Sequence, residues 1–159
     1  SKYEFRNQGH SFKYQFLIFF ILTSVTVIYG AFMAGMDAGK SFNTWPLMGD
    51  SFIPNSLIGD SGLHELYTNS VFIHFFHRML AYLTCIFGVY IFVTSFRYIL
   101  SNFQKKHLII IEIIIFIQIL LGILTIIYEV PILLGALHQL SGSLLLMFTA
   151  TYTFSLFEK

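Results

Sequence analysis

Four long apolar stretches constrain this chain more than any other feature of its sequence. They cover residues 14–36, 70–96, 108–128 and 131–156, the first to fourth spans. A transmembrane helix takes about 20 predominantly apolar residues. Each span is predicted to be helical, because lipid offers the backbone no hydrogen bonds and no span shows the alternation of a barrel strand. The sequence predicts an all-α integral membrane protein, with residues 1–159 forming a single four-helix transmembrane bundle.

Composition supports a membrane protein and excludes several other classes. Hydrophobic residues make up 56% of the chain and charged residues 11%, whereas soluble domains have about 45–50% and about 25%. The net charge of +1 provides no basic surface, so no nucleic acid partner is expected. A lone cysteine, Cys85, excludes an intrachain disulfide and a thiolate metal cluster.

The distribution of lysine and arginine predicts the orientation of the bundle. Seven of these residues lie at the termini or between the second and third spans: Lys2, Arg6, Lys13, Arg97, Lys105, Lys106 and Lys159. The opposite side carries Lys40. Positive residues concentrate on the cytoplasmic side of membranes. We therefore expect both termini on the cytoplasmic or mitochondrial matrix side of a bacterial plasma membrane or mitochondrial inner membrane.

The first loop, residues 37–69, lies on the opposite side and contains Trp45, Pro46 and Pro54. Tryptophan prefers the membrane interface, where its ring is in an apolar environment and its N–H is hydrated. Two interpretations are open. The loop is either a lid on the bundle or a plain connector with an interfacial anchor.

Three of the six histidines, His74, His77 and His138, lie inside apolar spans, where polar side chains are costly and mark functional sites by default. His77 and His138 each lie seven residues beyond the outer start of their span, at Ser70 and Pro131. At about 1.5 Å per residue, both lie about 10 Å deep. Two neutral imidazoles at equal depth can bind one haem iron from opposite faces. Structural histidines and a proton relay are the alternatives.

Small residues beside both histidines leave room for a flat ligand. Gly135 and Gly142 flank His138, and Ala81, Thr84 and Gly88 follow His77 on one helix face. Close helix packing would select the same residues. A further set of small residues in the first span is interpreted as a packing face: Gly30, Ala31, Ala34, Gly35, Ala38 and Gly39.

Arg78 is predicted to bind an anionic group of the cofactor. An arginine inside a span costs roughly 2.5–3.5 kcal/mol unless it is paired. A haem propionate is the expected partner, with Glu129 or a lipid phosphate as alternatives. In the third span Gln118, Gly122 and Thr125 form, with Glu129, a weakly polar stripe that is expected to point into the bundle and to supply hydrogen-bond donors around the site.

Four motifs, in order along nearly the whole chain, resemble the haem A synthases of the mitochondrial and proteobacterial type. They are residues 30–39 (GAFMAGMDAG) with 43–50 (NTWPLMGD) and Ile53-Pro54, 77–82 (HRMLAY), 118–125 (QILLGILT), and 131–139 (PILLGALHQ) with 141–143 (SGS). In that family they correspond to the fifth to eighth helices. The chain is thus similar to the C-terminal half of an eight-helix protein.

The resemblance implies oxidation of the haem O methyl group to the formyl group of haem A, for cytochrome c oxidase assembly. It implies that this half binds haem b through His77 and His138, for electron transfer. The implied partners are membrane lipid, a half that binds the haem O substrate or a second copy of the chain, haem O synthase and cytochrome oxidase assembly factors. A non-enzymatic b-type cytochrome and a haem-free membrane scaffold are the alternative functions.

One position departs from the family pattern. The family's substrate half has a glutamate three residues before its first histidine, where a carboxylate can assist the oxidation, and this chain has His74 there. His74 is either a hydrogen-bonding neighbour or a competing ligand. Glu112 lies far in depth from His77 and is not a substitute. Because no catalytic acid is identified, the enzyme is expected to require a substrate-binding half.

Overall fold

The computed structural model describes residues 2–57 and 64–157 of the chain. In this part it contains five α-helices: α1 (Lys2–Gly35), the short α2 (Glu65–Thr68), α3 (Ser70–Ser95), α4 (Asn102–Ile127) and α5 (Ile132–Phe157). Two short 3-10 helices, Ala38–Lys40 and Asn55–Leu57, lie in the first loop. No strand forms among the described residues, where the extended pairing is an isolated bridge between Met48 and Ser51.

Four of these helices have the length and composition of membrane spans: Ser11–Gly35 within α1, and the whole of α3, α4 and α5. Large apolar side chains face outward along them, including Ile86 at 67% exposure and Phe116 at 64%. A monomer in water rarely exposes apolar surface on this scale, whereas lipid tails accept it. The prediction of an all-α integral membrane protein is confirmed.

A capping box places the start of α4 before the position expected from hydropathy. The third span was expected from Leu108, but α4 starts at Asn102. There Ser101 accepts a hydrogen bond from the Gln104 amide at 3.2 Å, and the Gln104 side chain accepts one from the Ser101 amide at 2.9 Å. This capping box satisfies donors that the first turn leaves open. Asn69 caps α3 in a similar way, through the amides of Val71 and Phe72.

The four spans form a ring in which α1 packs against α3 and α5, while α4 packs against α5 and, less extensively, α3. Helices α3 and α5 are therefore diagonal across the bundle. Since His77 lies on α3 and His138 on α5, their side chains approach each other from opposite corners.

An apolar core fills the half of the bundle that contains the start of α1 and the end of α5. Its buried residues come from all four spans: Phe12, Phe16, Phe19, Ile91, Leu108, Ile111, Ile115, Leu145, Tyr152 and Leu156. The histidines lie in the other half, nearer the first loop and the turn after α4. Glu129 and Val130 in that turn have φ values of 59° and 61°, a left-handed conformation that allows α5 to reverse direction at once.

Candidate functional site

The structure brings His77 and His138 together across the bundle. Their ring centres are 6.5 Å apart and the ring planes are nearly perpendicular, at 88°. An imidazole nitrogen binds a metal at about 2 Å, so two imidazoles on opposite sides of one ion have ring centres roughly 6 Å apart. The observed separation matches this arrangement.

His77 is oriented by α1. Its Nδ1 lies 3.1 Å from the main-chain oxygen of Thr26, and a carbonyl can only accept a hydrogen bond. The proton therefore resides on Nδ1, and Nε2 keeps its lone pair. The ring also lies against Gly30, where an added Cβ would come 3.2 Å from His77 Cε1.

His138 is supported by α4 in a comparable position. A Cβ added at Gly122 would come 3.0 Å from His138 Cε1, and the Nε2 atoms of Gln118 and His138 are 3.5 Å apart. The Ser141 hydroxyl donates a hydrogen bond to Gln118 Oε1, and Gly142 leaves space for the amide. Nδ1 of His138 is buried and has no hydrogen-bond partner among the described residues.

His74 and Arg78 face the first loop, not the two other histidines. Arg78 Nε donates to His74 Nε2 at 3.0 Å. The two terminal guanidinium nitrogens donate to main-chain oxygens of the loop, at Leu47 (3.2 Å) and Thr44 (2.9 Å). Both side chains are buried. In this arrangement Nε2 of His74 is already engaged, and Arg78 joins α3 to the loop.

The loop segment held by Arg78 is itself ordered by hydrogen bonds. The Thr44 hydroxyl donates to the Leu47 oxygen at 2.9 Å and accepts from the Gly49 amide at 2.8 Å. Met48 is buried, and its amide donates to the Ser51 oxygen at 2.9 Å. Arg78 thus holds an ordered segment of the first loop against α3.

Glu129, an alternative partner for Arg78, instead accepts a hydrogen bond from the loop residue Asn43 at 3.2 Å. Within residues 11–57 and 64–157, whose side chains are described, the salt bridge found joins Lys40 to Asp37. The charge of Arg78 is thus stabilised by main-chain carbonyl dipoles, without a carboxylate partner among the described side chains.

The small residues near the histidines have different roles from one another. Gly88 lies in the apolar core, where an added Cβ would come 2.8 Å from Ile115 Cδ1. The Thr84 hydroxyl is 2.9 Å from that of Thr26 and so links α3 to α1. Gly135 has nothing within 4 Å of an added Cβ. Gly30, interpreted from sequence as a packing residue, contacts the imidazole of His77.

Residues 2–150 match the family model described as cytochrome oxidase assembly protein. The chain is 38% identical to the haem A synthase of Pelagibacter ubique over 134 residues, 83% of this chain and 39% of that protein. It is 41% identical over 138 residues to that of Flavobacterium psychrophilum, covering 84% and 40% of the two chains. It is 37% identical to the haem A synthase of Rickettsia prowazekii, over 82% of this chain and 40% of that protein.

The chain spans about two fifths of the length of these relatives. No solved structure matches it. The family match covers nearly all of the chain, including every residue of the site described above. The chain belongs to the family of cytochrome oxidase assembly proteins.

Proposed function

We propose that this chain is the haem b-binding, C-terminal half of a haem A synthase and that His77 and His138 are the axial ligands of the haem iron. The observation that carries the proposal is the 6.5 Å separation of their rings. The relatives, all named haem A synthase, favour this function over a non-enzymatic cytochrome or a scaffold.

The residues present suit a haem better than a bare metal ion. Among the described residues no group of three or more histidine, cysteine, aspartate or glutamate side chains could hold an ion. A porphyrin supplies its own four nitrogens, so two axial imidazoles complete the coordination of its iron. His77 has the required tautomer, since its Nδ1 faces a carbonyl and Nε2 is left to bind iron. Nε2 of His138 lies 3.5 Å from the amide nitrogen of Gln118, a contact that iron would replace.

Haem bound here would supply one-electron transfer. The chain's residues hold the two imidazoles at a fixed separation, and the apolar spans keep water from them. Arg78 enters the proposal as a cofactor-binding residue. Its three contacts use three of the five N–H groups of a guanidinium, so a propionate would share Arg78 with the loop.

In this proposal, oxidation of the haem O methyl group requires the part of the haem A synthase relatives that this chain does not match. We propose that a substrate-binding half, in the same chain or in a partner, binds haem O and exchanges electrons with this half. The proposed partners are membrane lipid, haem O synthase and cytochrome oxidase assembly factors.

The proposed location is a bacterial plasma membrane or the mitochondrial inner membrane. The loop between α3 and α4, with Arg97, Lys105 and Lys106, would face the cytoplasm or matrix together with both termini. The first loop, with Lys40, would face the opposite side.

A chimera tests the proposed activity. This chain replaces the matching segment of the Rickettsia prowazekii haem A synthase, in a bacterium that makes haem O but lacks its own haem A synthase. Extracted pigments should contain haem A, and His77→Ala and His138→Ala should abolish it. A chimera that inserts into the membrane and retains haem b but makes no haem A would overturn the assignment as a synthase half.

A further inference from the structure

We propose that Gly30 and Gly122 are positioning residues for the two iron ligands, each opening a main-chain carbonyl to the imidazole of the neighbouring helix. The inference rests on the proposed haem site and deepens it. The carbonyls belong to Thr26 and Gln118, each four residues before its glycine.

Helix geometry explains why glycine is needed at this spacing. The carbonyl of residue i points along the axis toward residue i+4, with which it bonds. Because each Cα–Cβ bond tilts toward the helix N-terminus, the side chain at i+4 lies over that carbonyl. Glycine at i+4 leaves the second lone pair of the oxygen accessible from the side.

At His77 all three elements of this arrangement are present: the carbonyl, the glycine and the imidazole. Nδ1 lies 3.1 Å from the Thr26 oxygen, and the ring occupies the space that a Gly30 Cβ would take. An added Cβ would be 3.2 Å from Cε1 and 3.7 Å from Nδ1. Alanine at position 30 would therefore press on the ring where the hydrogen bond forms.

At His138 the same elements recur on α4. A Cβ at Gly122 would be 3.0 Å from Cε1 and 3.6 Å from Nδ1 of His138. Nδ1 of His138 makes no hydrogen bond among the described residues, and in the proposal the Gln118 carbonyl becomes its acceptor when the imidazole binds iron. The two imidazoles thus meet their glycines at the same atoms and at nearly equal distances.

The site is therefore built from two helix pairs of the same kind. Helices α1 and α3 form one unit, in which the carbonyl and glycine come from α1 and the ligand from α3. Helices α4 and α5 form the other in the same way. A metal-binding histidine usually donates its second ring N–H to a carbonyl or carboxylate, and loss of that partner weakens metal binding about 10- to 100-fold. Each unit would supply one such oriented ligand.

Close helix packing is the competing explanation for glycine, and the chain offers controls for it. An added Cβ at Gly35 on α1 would have nothing within 4 Å, whereas one at Gly88 would come 2.8 Å from Ile115 Cδ1 in the apolar core. Gly35→Ala controls for the effect of a glycine-to-alanine change on α1 away from the imidazoles. Gly88→Ala controls for a packing defect away from the histidines.

The test compares haem dissociation from detergent-purified chains loaded with haem b. Gly30→Ala and Gly122→Ala should release haem about 10- to 100-fold faster, and should change the low-spin ferric EPR signal, which depends on ring orientation. Gly35→Ala should match wild type, and Gly88→Ala should lower thermal stability without changing the signal. Wild-type dissociation rates and spectra in both Gly30→Ala and Gly122→Ala would overturn the inference.

A second readout works without haem. Nitrogen NMR of ¹⁵N-histidine-labelled protein should show His77 with its proton on Nδ1 in wild type and in Gly35→Ala. Gly30→Ala should lose this hydrogen-bonded form, and an unchanged His77 signal would contradict the inference. If wild type binds no haem at all, the proposed function fails, while this measurement still decides the role of Gly30.

Discussion

Nε of Arg78 donates a hydrogen bond to Nε2 of His74, one turn earlier on α3, at 3.0 Å. The contact gives a hydrogen-bond partner to His74, the position at which the chain departs from the haem A synthase pattern that it resembles. It engages Nε2 of His74 and directs the side chain toward the first loop, while Nδ1 is buried without a hydrogen-bond partner among the described residues. Of the two roles left open for His74, the structure favours the hydrogen-bonding neighbour.

Replacement of His74 should therefore leave haem ligation intact. We expect His74→Gln, whose amide oxygen can still accept from Arg78, to give the low-spin spectrum of wild type in the haem-loaded chain. His74→Ala should give the same spectrum with lower thermal stability, because Arg78 Nε loses its acceptor. A high-spin spectrum in both variants would identify His74 as a ligand.

Arg78→Leu should release the loop segment from α3. The substitution removes three hydrogen bonds from a charged group, each worth about 1.5–3 kcal/mol. Amide hydrogen exchange should accelerate at Met48 and Gly49, whose amides are bonded within the segment. Arg97→Leu, on the exposed far end of the bundle, is the matched control.

The same Arg78 variant tests the proposed propionate contact. We expect Arg78→Leu to retain haem less well than wild type, and Arg78→Lys to restore it only in part because an ammonium cannot span His74 and two loop carbonyls. Equal haem retention in wild type and Arg78→Leu, measured by transfer to apomyoglobin, would exclude a propionate contact.

Tyr152 offers a test of the core that is independent of the site. Its ring is fully buried and lies 4.3 Å from that of Phe16, but its hydroxyl has no hydrogen-bond partner among the described residues. Tyr152→Phe removes an unsatisfied polar group and keeps the ring, so stability should stay equal or rise by about 1–3 kcal/mol.

Thermal unfolding in detergent measures the effect, with Tyr152→Leu as the comparison. That substitution loses the aromatic contact with Phe16 and should lower the melting temperature. A large loss of stability in Tyr152→Phe would mean that the hydroxyl has a partner outside the described residues.

The spans and the proximity of His77 and His138 could be predicted from sequence, because both depend on the number of residues along a helix. Apolar length identifies a helix in lipid, and an equal number of residues from the same membrane face gives equal depth. Helix starts were less accurate, as at α4, because the polar capping residues Ser101 and Gln104 carry no hydropathy signal.

The surroundings of the histidines could not be derived in this way. The Thr26 contact is made by a main-chain oxygen, which every residue possesses, so no side-chain pattern indicates it. Gly30 was interpreted as a packing residue because close contact with a helix backbone favours glycine. Close contact with a ring from another helix favours it equally. Arg78 was expected to need an anion, yet loop carbonyls 31 and 34 residues away in sequence accept its hydrogen bonds.

The most direct test of the central claim is a visible-absorption titration of the purified chain with haem b, run beside His77→Ala and His138→Ala. We expect wild type to bind one haem with a six-coordinate low-spin spectrum, and each variant to lose that spectrum. Low-spin binding that survives in both variants, or a wild-type chain that binds no haem, would contradict the claim that these two imidazoles share an iron.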